Sequence, residues 1–520
     1  MKPPCDEAAI RSAAADSPCQ RQAGPWILAA AILGTSMAFI DSTVVNVALP
    51  ALQSSFRASL VDVQWVVESY ALFLGALILV GGAAGDLFGR RRMFVAGVAL
   101  FAIASAACGL AQSVHQLIAA RTLQGLGAAF LTPGSLAIIS ASFPEQDRGR
   151  AIGTWSGFSA ITTALGPVLG GWLIQHASWR WIFFINLPLA ATVIVISMWR
   201  VPESRSSVAK KLDLTGAALV TMGLGGLVYG LVESSRLGWR DPRVTGCLLL
   251  SVVCLVSFPF VEEKAASPMV PLQLFRSRTF TGANLLTLLL YAALGIFFFV
   301  FPMNLIQVQG YSATGAGAAA LPLILLMFFL SRWSGGLVAR YGPKLPLVIG
   351  PLIVALGFVL FAIPSTGGSY WSTFFPAFVV LGSGMAISVA PLTTVVMSAV
   401  DQDRAGAASG INNAVARVAG LLAVAVFGIV MVRAFAARLD HELATLPIPQ
   451  RVRAELESNR TKLAAIEIPS DIDPRLAQAV KAAVSRSFVY AFRLVACCCA
   501  VLAIVSSLTA ALLIEGKSPS

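Results

Sequence analysis

The chain has 520 residues, of which 57% are hydrophobic and only 12% are charged, and its mean hydropathy is +0.79. This composition cannot form a soluble surface, so it excludes a soluble enzyme or an enzyme held by a single anchor, and it predicts a polytopic membrane protein. A net charge of +12 would suit a nucleic-acid partner, but the positions of the basic residues indicate membrane topology instead.

Fourteen apolar segments are long enough to cross a hydrocarbon core of ~30 Å at ~1.5 Å per helical residue. The third and fourth are separated only by residues around Gln112 and Ser113, so a thirteen-span alternative has to be weighed. The predicted segments are 26–49, 61–83, 94–112, 114–140, 151–174, 181–199, 214–233, 244–261, 280–307, 313–336, 345–363, 374–398, 408–432 and 489–514.

The distribution of basic residues favours fourteen spans in the cell inner membrane, with both termini in the cytoplasm. Residues 1–24 lack the order of a signal peptide, and we expect a disordered cytoplasmic tail there. With this topology the inner loops carry Arg90, Arg91, Arg92, Arg148, Arg150, Arg200, Arg205, Lys210, Lys211, Lys264, Arg276, Arg278, Arg340 and Lys344, whereas the short outer loops carry only Arg57, Arg180, Arg236, Arg240 and Arg243.

The first span places a carboxylate, Asp41, inside an apolar helix. A charge at this depth costs at least ~2.5–3.5 kcal/mol, so it normally faces a cavity or a partner and marks an ion or substrate path. The alternative is a carboxylate that a neighbouring helix merely satisfies. We predict that Asp41 is the principal protonation site, and Asn46 in the same span is a candidate cavity residue.

Glu68, in the second span, is the other acid predicted to be buried. If it faces the cavity beside Asp41, the two carboxylates repel each other and together hold a proton or a cation. If it faces outward, it is an interfacial residue. The sequence leaves both positions open.

The loop after the second span combines glycines, an acid and a basic cluster. Three arginines alone would reflect topology, but the pattern Gly-x-x-x-Asp-x-x-Gly-Arg-Arg is more specific and resembles the major facilitator superfamily, although Ala84 stands where leucine is usual. The resemblance implies a cytoplasmic charge latch that stabilises the outward-facing state. Its members are Gly82, Asp86, Gly89, Arg90 and Arg91.

The fourth span contains Arg121 and Gln124 in a stretch, 117–129, that is similar to the fourth-helix motif of the superfamily. A guanidinium in an apolar helix needs acceptors, and the alternative is an arginine that snorkels to the interface. The resemblance implies that Arg121 takes part in proton coupling. Gln124 is a further candidate cavity residue.

The fifth span resembles the motif of antiporters, although Thr162 stands where the full pattern has glycine. The resemblance implies exchange transport, with Gly166 and Pro167 controlling closure of the core. The matching residues are Gly153, Gly166, Pro167, Gly170 and Gly171.

Two further stretches, 41–50 and 179–188, resemble the fourteen-span drug:proton antiporters. The resemblance implies an all-α membrane protein of the major facilitator fold, with six-helix bundles at 25–200 and 266–514 and two peripheral linker helices within 201–265. Asp213 and Glu233, at the ends of the first linker helix, are expected to be interfacial.

The second half repeats the latch loop weakly, with Ala339 in place of the acid. Asn412, Asn413 and Arg417 begin the thirteenth span and either line a gate or form helix–helix hydrogen bonds. Span nine carries an aromatic stripe around Phe297, which suits a pocket, a core or a lipid-facing surface. Residues 433–488 are predicted to form an extracytoplasmic helical hairpin around a turn at 446–449.

These features predict a proton-coupled antiporter that exports amphipathic compounds, monovalent cationic or neutral, because span ten contains no acid to help hold a dication. The alternatives are a dedicated exporter of one metabolite or antibiotic, and, from another class, a membrane-embedded scramblase or enzyme. We expect protons, a small amphipathic substrate and the lipid bilayer as partners, a monomer, and no nucleic acid, resident metal or cofactor.

Overall fold

A computed structural model of the protein describes residues 18–143, 145–205, 212–265, 268–400, 405–468 and 472–516. This part of the chain is largely helical and contains no β-strand. Fourteen long helices follow one another, and we number them in chain order. They are α1 (Pro18–Phe56), α2 (Leu60–Phe88), α3 (Arg90–Leu110), α4 (Val114–Ser142), α5 (Glu145–His176), α6 (Trp181–Phe184 and Asn186–Arg200), α7 (Leu214–Leu237), α8 (Pro242–Lys264), α9 (Arg278–Met303), α10 (Ala313–Ala318 and Leu321–Gly335), α11 (Lys344–Phe361), α12 (Phe375–Ser398), α13 (Ala405–Ala444) and α14 (Pro474–Leu513).

The helices correspond one to one with the predicted segments. Among the described residues, thirteen are long and apolar enough to cross a membrane, and α5, with 32 residues, lies where the fifth span was predicted. Several boundaries differ, because α1 begins at Pro18, inside the predicted tail, α13 continues to Ala444, and α14 begins at Pro474. The apolar run sets the limits of a membrane span, but the helix itself can extend beyond them. Residues 1–17, Lys210 and Lys211 lie outside the described residues.

Helices α1 to α6 form the first bundle, in which glycines bring backbones close together. A Cβ on Gly127 of α4 would lie 2.6 Å from the Phe101 nitrogen of α3, and one on Gly97 would lie 3.0 Å from the Gly127 oxygen. Phe94 and Phe101 fill the space beside this contact and are fully buried. Small residues at the contact and large ones around it are typical of packed membrane helices.

Helices α9 to α14 form the second bundle around an aromatic core. The Phe297 ring lies 4.6 Å from Phe361 and 5.0 Å from Phe301, measured between ring centroids. Phe378 lies 4.8 Å from Phe361, and all four side chains are buried. Of the three roles predicted for the aromatic stripe, the structure therefore supports packing in the core of the second bundle.

The linker helix α7 packs between α2 and α13, where Leu224 and Val228 share an apolar cluster with both. Its Glu233 is 4% exposed and accepts a hydrogen bond of 2.9 Å from the Trp65 indole of α2, while Arg236 lies 2.9 Å away. The prediction that Glu233 is interfacial is wrong, because the carboxylate is buried beside Trp65 and Arg236. Asp213 caps the start of α7 through a 2.7 Å hydrogen bond from Gly216 N–H.

The predicted hairpin is built on the extended ends of α13 and α14. At ~1.5 Å per residue, a 40-residue helix is about twice as long as the hydrocarbon core is thick. The helix Gln450–Ser458 and the turn Arg460–Ala465 lie between the two ends. We call the end of the bundle that carries this segment the hairpin end, and the opposite end, which carries residues 82–92, the latch end. The apolar residues that recur at helical spacing in this segment are buried at Leu439, Leu443, Val452, Leu456 and Leu463 and half-buried at Leu446.

Candidate functional site

Asp41 of α1 and Arg121 of α4 form an ion pair inside the first bundle. Their side chains are 0% and 1% exposed. Arg121 also donates to Gln124 Oε1 at 2.7 Å and, through Nε, to the Val66 carbonyl at 3.1 Å. Gln124 in turn donates to the second Asp41 oxygen at 2.8 Å and to Ser105 Oγ at 2.9 Å. The two charges are therefore held by a connected polar cluster.

Two more side chains extend this cluster. The Tyr70 ring of α2 lies 4.1 Å from the Arg121 guanidinium carbon, a cation–π distance. Asn186 of α6 donates to Ser105 Oγ at 2.9 Å. Ser105, Tyr70 and Asn186 were not predicted as site residues, although a polar side chain within a predicted span is a signal that would have found each of them.

Burial makes this ion pair sensitive to the loss of either charge. Removing one partner of a buried pair costs ~3–5 kcal/mol, because the other charge is left without compensation in a medium of low dielectric constant. The alternative of a snorkelling Arg121 is excluded, since its side chain reaches no surface. The arrangement can therefore couple the charge on Asp41 to the position of Arg121.

Glu68 lies on a different face of α2 from the residues that contact Arg121. Helical spacing puts it beside Gln64 and Leu72, and Gln64 donates to the Val424 carbonyl of α13 at 3.0 Å. Leu72 packs in the cluster that contains Leu224 of α7. Glu68 therefore faces the junction of α2, α7 and α13, which is neither of the two predicted positions.

The Glu68 carboxylate is fully buried, and among the described residues neither oxygen has a hydrogen-bond partner. An ionised carboxylate without a partner is costly in a dry interior. The position therefore needs a proton or a cation to accompany the side chain.

The three candidate residues of α13 have different surroundings. Asn412 donates to Thr287 at 2.7 Å and to Asn284 at 3.1 Å, so it hydrogen-bonds to α9. Asn413 is exposed and donates to its own helix at Ser409. Arg417 is half-buried, and its guanidinium lies 5.9 Å from the Phe39 ring of α1.

Arg417 has no carboxylate partner among the described residues. Its Cβ would lie 3.4 Å from a Cβ on Gly75 of α2, the helix that also carries Tyr70. Asn46, the remaining cavity candidate, is half-buried, and its amide oxygen accepts no hydrogen bond from the part of the chain that the structure describes.

At the latch end, Arg90 pairs with Asp86 at 2.9 Å. The Arg91 guanidinium donates to the Val201 carbonyl at 3.1 Å, and its backbone N–H donates to Glu203 at the same distance. Glu203 lies after α6. Its contact with Arg91 was not predicted, because nothing in the sequence of the latch loop indicates which carboxylate it meets. Gly89 has φ +112°, and a Cβ there would meet the Glu203 carboxylate at 2.7 Å, so this position requires glycine.

Gly82, a predicted member of the latch, is not the glycine of α2 that approaches α4 most closely. A Cβ on Gly82 would lie 3.6 Å from Pro133, which is ordinary contact, whereas a Cβ on Gly81 would overlap the Ala129 carbonyl of α4. The crossing point of α2 and α4 decides which glycine touches the other backbone.

Most glycines of the antiporter motif lie at helix contacts. Gly166 and Gly170 of α5 approach α1 at Thr43 and Val44, and Gly171 approaches α10, where its Cβ would lie 2.8 Å from the Thr314 Cα. Pro167 is part of the same contact, because a Cβ on Gly317 of α10 would overlap its carbonyl.

Two hydrogen bonds join the bundles close to this contact. Gln307 donates to Gln53 at 2.8 Å, and Thr314 donates to Gln175 at 2.8 Å. The two bundles therefore touch at the hairpin end. Gly153 is different from the other motif glycines, since a Cβ there would meet nothing within 4 Å.

The family model described as Major Facilitator Superfamily matches residues 31–424. The chain is 36% identical over 434 residues to the "Multidrug resistance protein Stp" of Mycobacterium tuberculosis, an alignment that covers 82% of this chain and 79% of that protein. It is 37% identical over 415 residues to the "Tetracenomycin C resistance and export protein" of Streptomyces glaucescens, covering 78% and 76%.

Among solved structures, the fold is similar to an inward-facing, unoccupied bacterial homologue of the human lysosomal transporter Spinster. The TM-score is 0.65 at 18% sequence identity, and the match covers 96% of this chain and all of that one. At this level of identity the likeness establishes the fold alone.

Proposed function

The chain belongs to the major facilitator superfamily, and from this membership we propose that it exports amphipathic drugs in exchange for protons by alternating access. Relatives named for drug resistance and export share more than a third of its residues over about four fifths of the chain, which supports the same class of activity here. We place the protein in the inner membrane with both termini in the cytoplasm, so that the hairpin end is extracytoplasmic.

The buried pair of Asp41 and Arg121 is the observation that carries the proposal. A proton on Asp41 would cancel the charge that faces Arg121 and leave the guanidinium with only the Gln124 and Val66 oxygens. Release of the proton would restore the pair. Because an unpaired buried charge costs several kcal/mol, the two protonation states would favour different positions of α1 relative to α4.

The residues next to Asp41 give this change a route to the rest of the molecule. Val44 of α1 packs directly against Gly170 of α5. Gly171, the next residue, packs against α10 of the other bundle. A movement of α1 at Asp41 would therefore displace the segment of α5 that closes the hairpin end, which is how proton binding would open one side of the transporter.

We propose that the latch holds the opposite end when that end closes. The Asp86 pair with Arg90 and the Arg91 contacts with residues 201–203 fix the loop between α2 and α3. A fixed loop of this kind would stabilise one orientation of the first bundle and raise the cost of reopening the latch end.

The charged side chains around Asp41 set the proposed substrate class. Asp41 is the acid of the central cluster, whereas Arg417 adds a half-buried positive charge beside Phe39. A dication would need a second carboxylate there to offset its desolvation, and Glu68 faces away from Asp41. We therefore propose neutral or monovalent cationic amphiphiles as substrates, with dications exported poorly.

The test is drug accumulation in inside-out membrane vesicles with an acidic lumen, using ethidium as a monovalent probe. We expect Asp41→Asn to abolish gradient-driven accumulation while the protein remains folded in the membrane, because the change removes the charge and keeps the shape. Glu467→Gln, which removes an exposed carboxylate outside the spans, is the control and should transport normally. Full transport by Asp41→Asn would exclude Asp41 from proton coupling.

A further inference from the structure

An apolar cavity of about 410 Å³ lies where the two bundles meet the linker helices. Its walls come from α2, α7, α8, α9 and α13 and from the segment 269–275 that precedes α9. No charged residue lines it, and Thr281 and Asn284 are the polar side chains in its lining. The volume is within the ~300–1,000 Å³ typical of small-molecule sites, but the lining offers almost nothing to recognise a polar ligand.

The rim of this cavity is exposed on the outside of the helix bundle. Phe275 and Leu285, both lining residues, are 36% and 38% exposed. In a polytopic membrane protein an exposed apolar rim on the side of the bundle faces lipid. The cavity is therefore accessible to an acyl chain from the bilayer.

Two free positive charges stand beside the rim. Arg276 follows Phe275 directly, Arg278 begins α9, and both side chains are exposed. Neither has a hydrogen bond or ion pair with another described residue. The Glu262 carboxylate of α8 is already occupied, because it accepts hydrogen bonds from the backbone of Met269 (3.1 Å) and Val270 (2.7 Å). The positive-inside rule accounts for basic residues at this end. It does not account for an arginine directly after Phe275, which lines the apolar cavity.

We propose that this cavity holds an acyl chain of an anionic phospholipid whose phosphate lies at Arg276 and Arg278. Basic residues near the membrane surface attract anionic headgroups, and the same two charges repel the cationic drugs proposed as substrates. We therefore assign the cavity to a lipid of the surrounding leaflet rather than to a cationic substrate.

The position of the cavity gives the lipid a structural effect. Gly75 of α2 and Val418 of α13 line it, and a Cβ on Gly75 would lie 3.4 Å from the Arg417 Cβ. An acyl chain there would pack against the contact between the two bundles and against α7, and so fasten the linker helices to the core.

The test is native mass spectrometry of the purified full-length protein with phosphatidylglycerol and phosphatidylcholine of identical acyl chains. At about fivefold per arginine, we expect a preference for phosphatidylglycerol of roughly 25-fold from the pair. The double change Arg276→Gln and Arg278→Gln should reduce the ratio to about one, whereas Arg340→Gln, an exposed arginine at the same end, should leave it unchanged.

A second arm tests the cavity itself. Leu288→Trp, which fills it from α9, should lower retention of both lipids several-fold, whereas Leu352→Trp on the exposed face of α11 should not. The proposal is overturned if the unmodified protein shows no preference for phosphatidylglycerol, if the arginine changes leave the preference intact, or if Leu288→Trp retains both lipids in full. Displacement of the lipid by ethidium would overturn it as well, because the cavity would then hold transported cargo.

Discussion

The contact between α5 and α10 allows the closure of the hairpin end to be tested with a single methyl group. In Gly171→Ala the new Cβ would lie 2.7 Å from the Ala313 carbonyl carbon and 2.8 Å from the Thr314 Cα. Both are backbone atoms, so no side-chain rotation relieves the overlap. The helices can accommodate the methyl group only by moving apart at the place where the two bundles touch.

Overpacking by one methyl group against a rigid neighbour costs ~1–3 kcal/mol. That cost applies to the closed hairpin end and is absent when α5 and α10 separate, so the equilibrium between closed and open should shift about 5- to 150-fold toward open. Gly153→Ala is a matched control in the same helix, because its Cβ would meet nothing within 4 Å. Both changes give the same gain in intrinsic helix propensity.

The assay is double electron–electron resonance between labelled p-acetylphenylalanine residues at His176 and Thr366, exposed positions of the two bundles at the hairpin end. This chemistry leaves the native cysteines in place. Gly171→Ala should add a population at longer distance, and Gly153→Ala should reproduce the distribution of the unmodified protein. An unchanged distribution in Gly171→Ala, or an equal change in both variants, would refute the argument that this contact closes the hairpin end.

The other predictions concern Glu68, the latch and the linker helix. Glu68→Gln should weaken efflux of cationic dyes far more than of neutral ones if the carboxylate accompanies a cation, and an equal loss for both would assign it to the proton path. Asp86→Asn should slow turnover and leave substrate affinity nearly unchanged. In the same resonance measurement it should favour the closed hairpin end, and an unaltered distance distribution would contradict a latch. Trp65→Phe leaves Glu233 without its indole donor, so thermal unfolding should show a loss of ~1–3 kcal/mol, while Trp181→Phe at an exposed site should cost little.

The helices were predictable because a bilayer imposes a minimum length and an apolar composition on each span. The ends of α13 and α14 were not, since the apolar signal stops where water begins while the helices continue to Ala444 and back from Pro474. Those extensions are held by one buried face, whose apolar residues at helical spacing predicted a helical hairpin but not that its arms continue α13 and α14.

The charged residues of the site could be predicted individually, but the contacts between them could not. Asp41 and Arg121 each stood out as a charge inside an apolar span, yet their pairing depends on how α1 and α4 are rotated about their axes. The direction of Glu68 depends on α7, a helix expected to be peripheral. Glycine spacing predicted close packing, but the depth at which two helices cross decides that Gly81 needs to be glycine and that Gly153 does not.

One turn of α1 joins the chemistry to the conformational change. Asp41 points toward Arg121 of α4, whereas Thr43 and Val44 pack against Gly166 and Gly170 of α5. If this turn of α1 moves as a unit, a change on the face that contacts α4 also displaces the face that contacts α5. A rigid helix turn transmits displacement without a flexible hinge, so under the proposed mechanism a proton at Asp41 would act on the α5 contact at the hairpin end. In that mechanism a single carboxylate would be sufficient to link proton binding to the opening of the transporter.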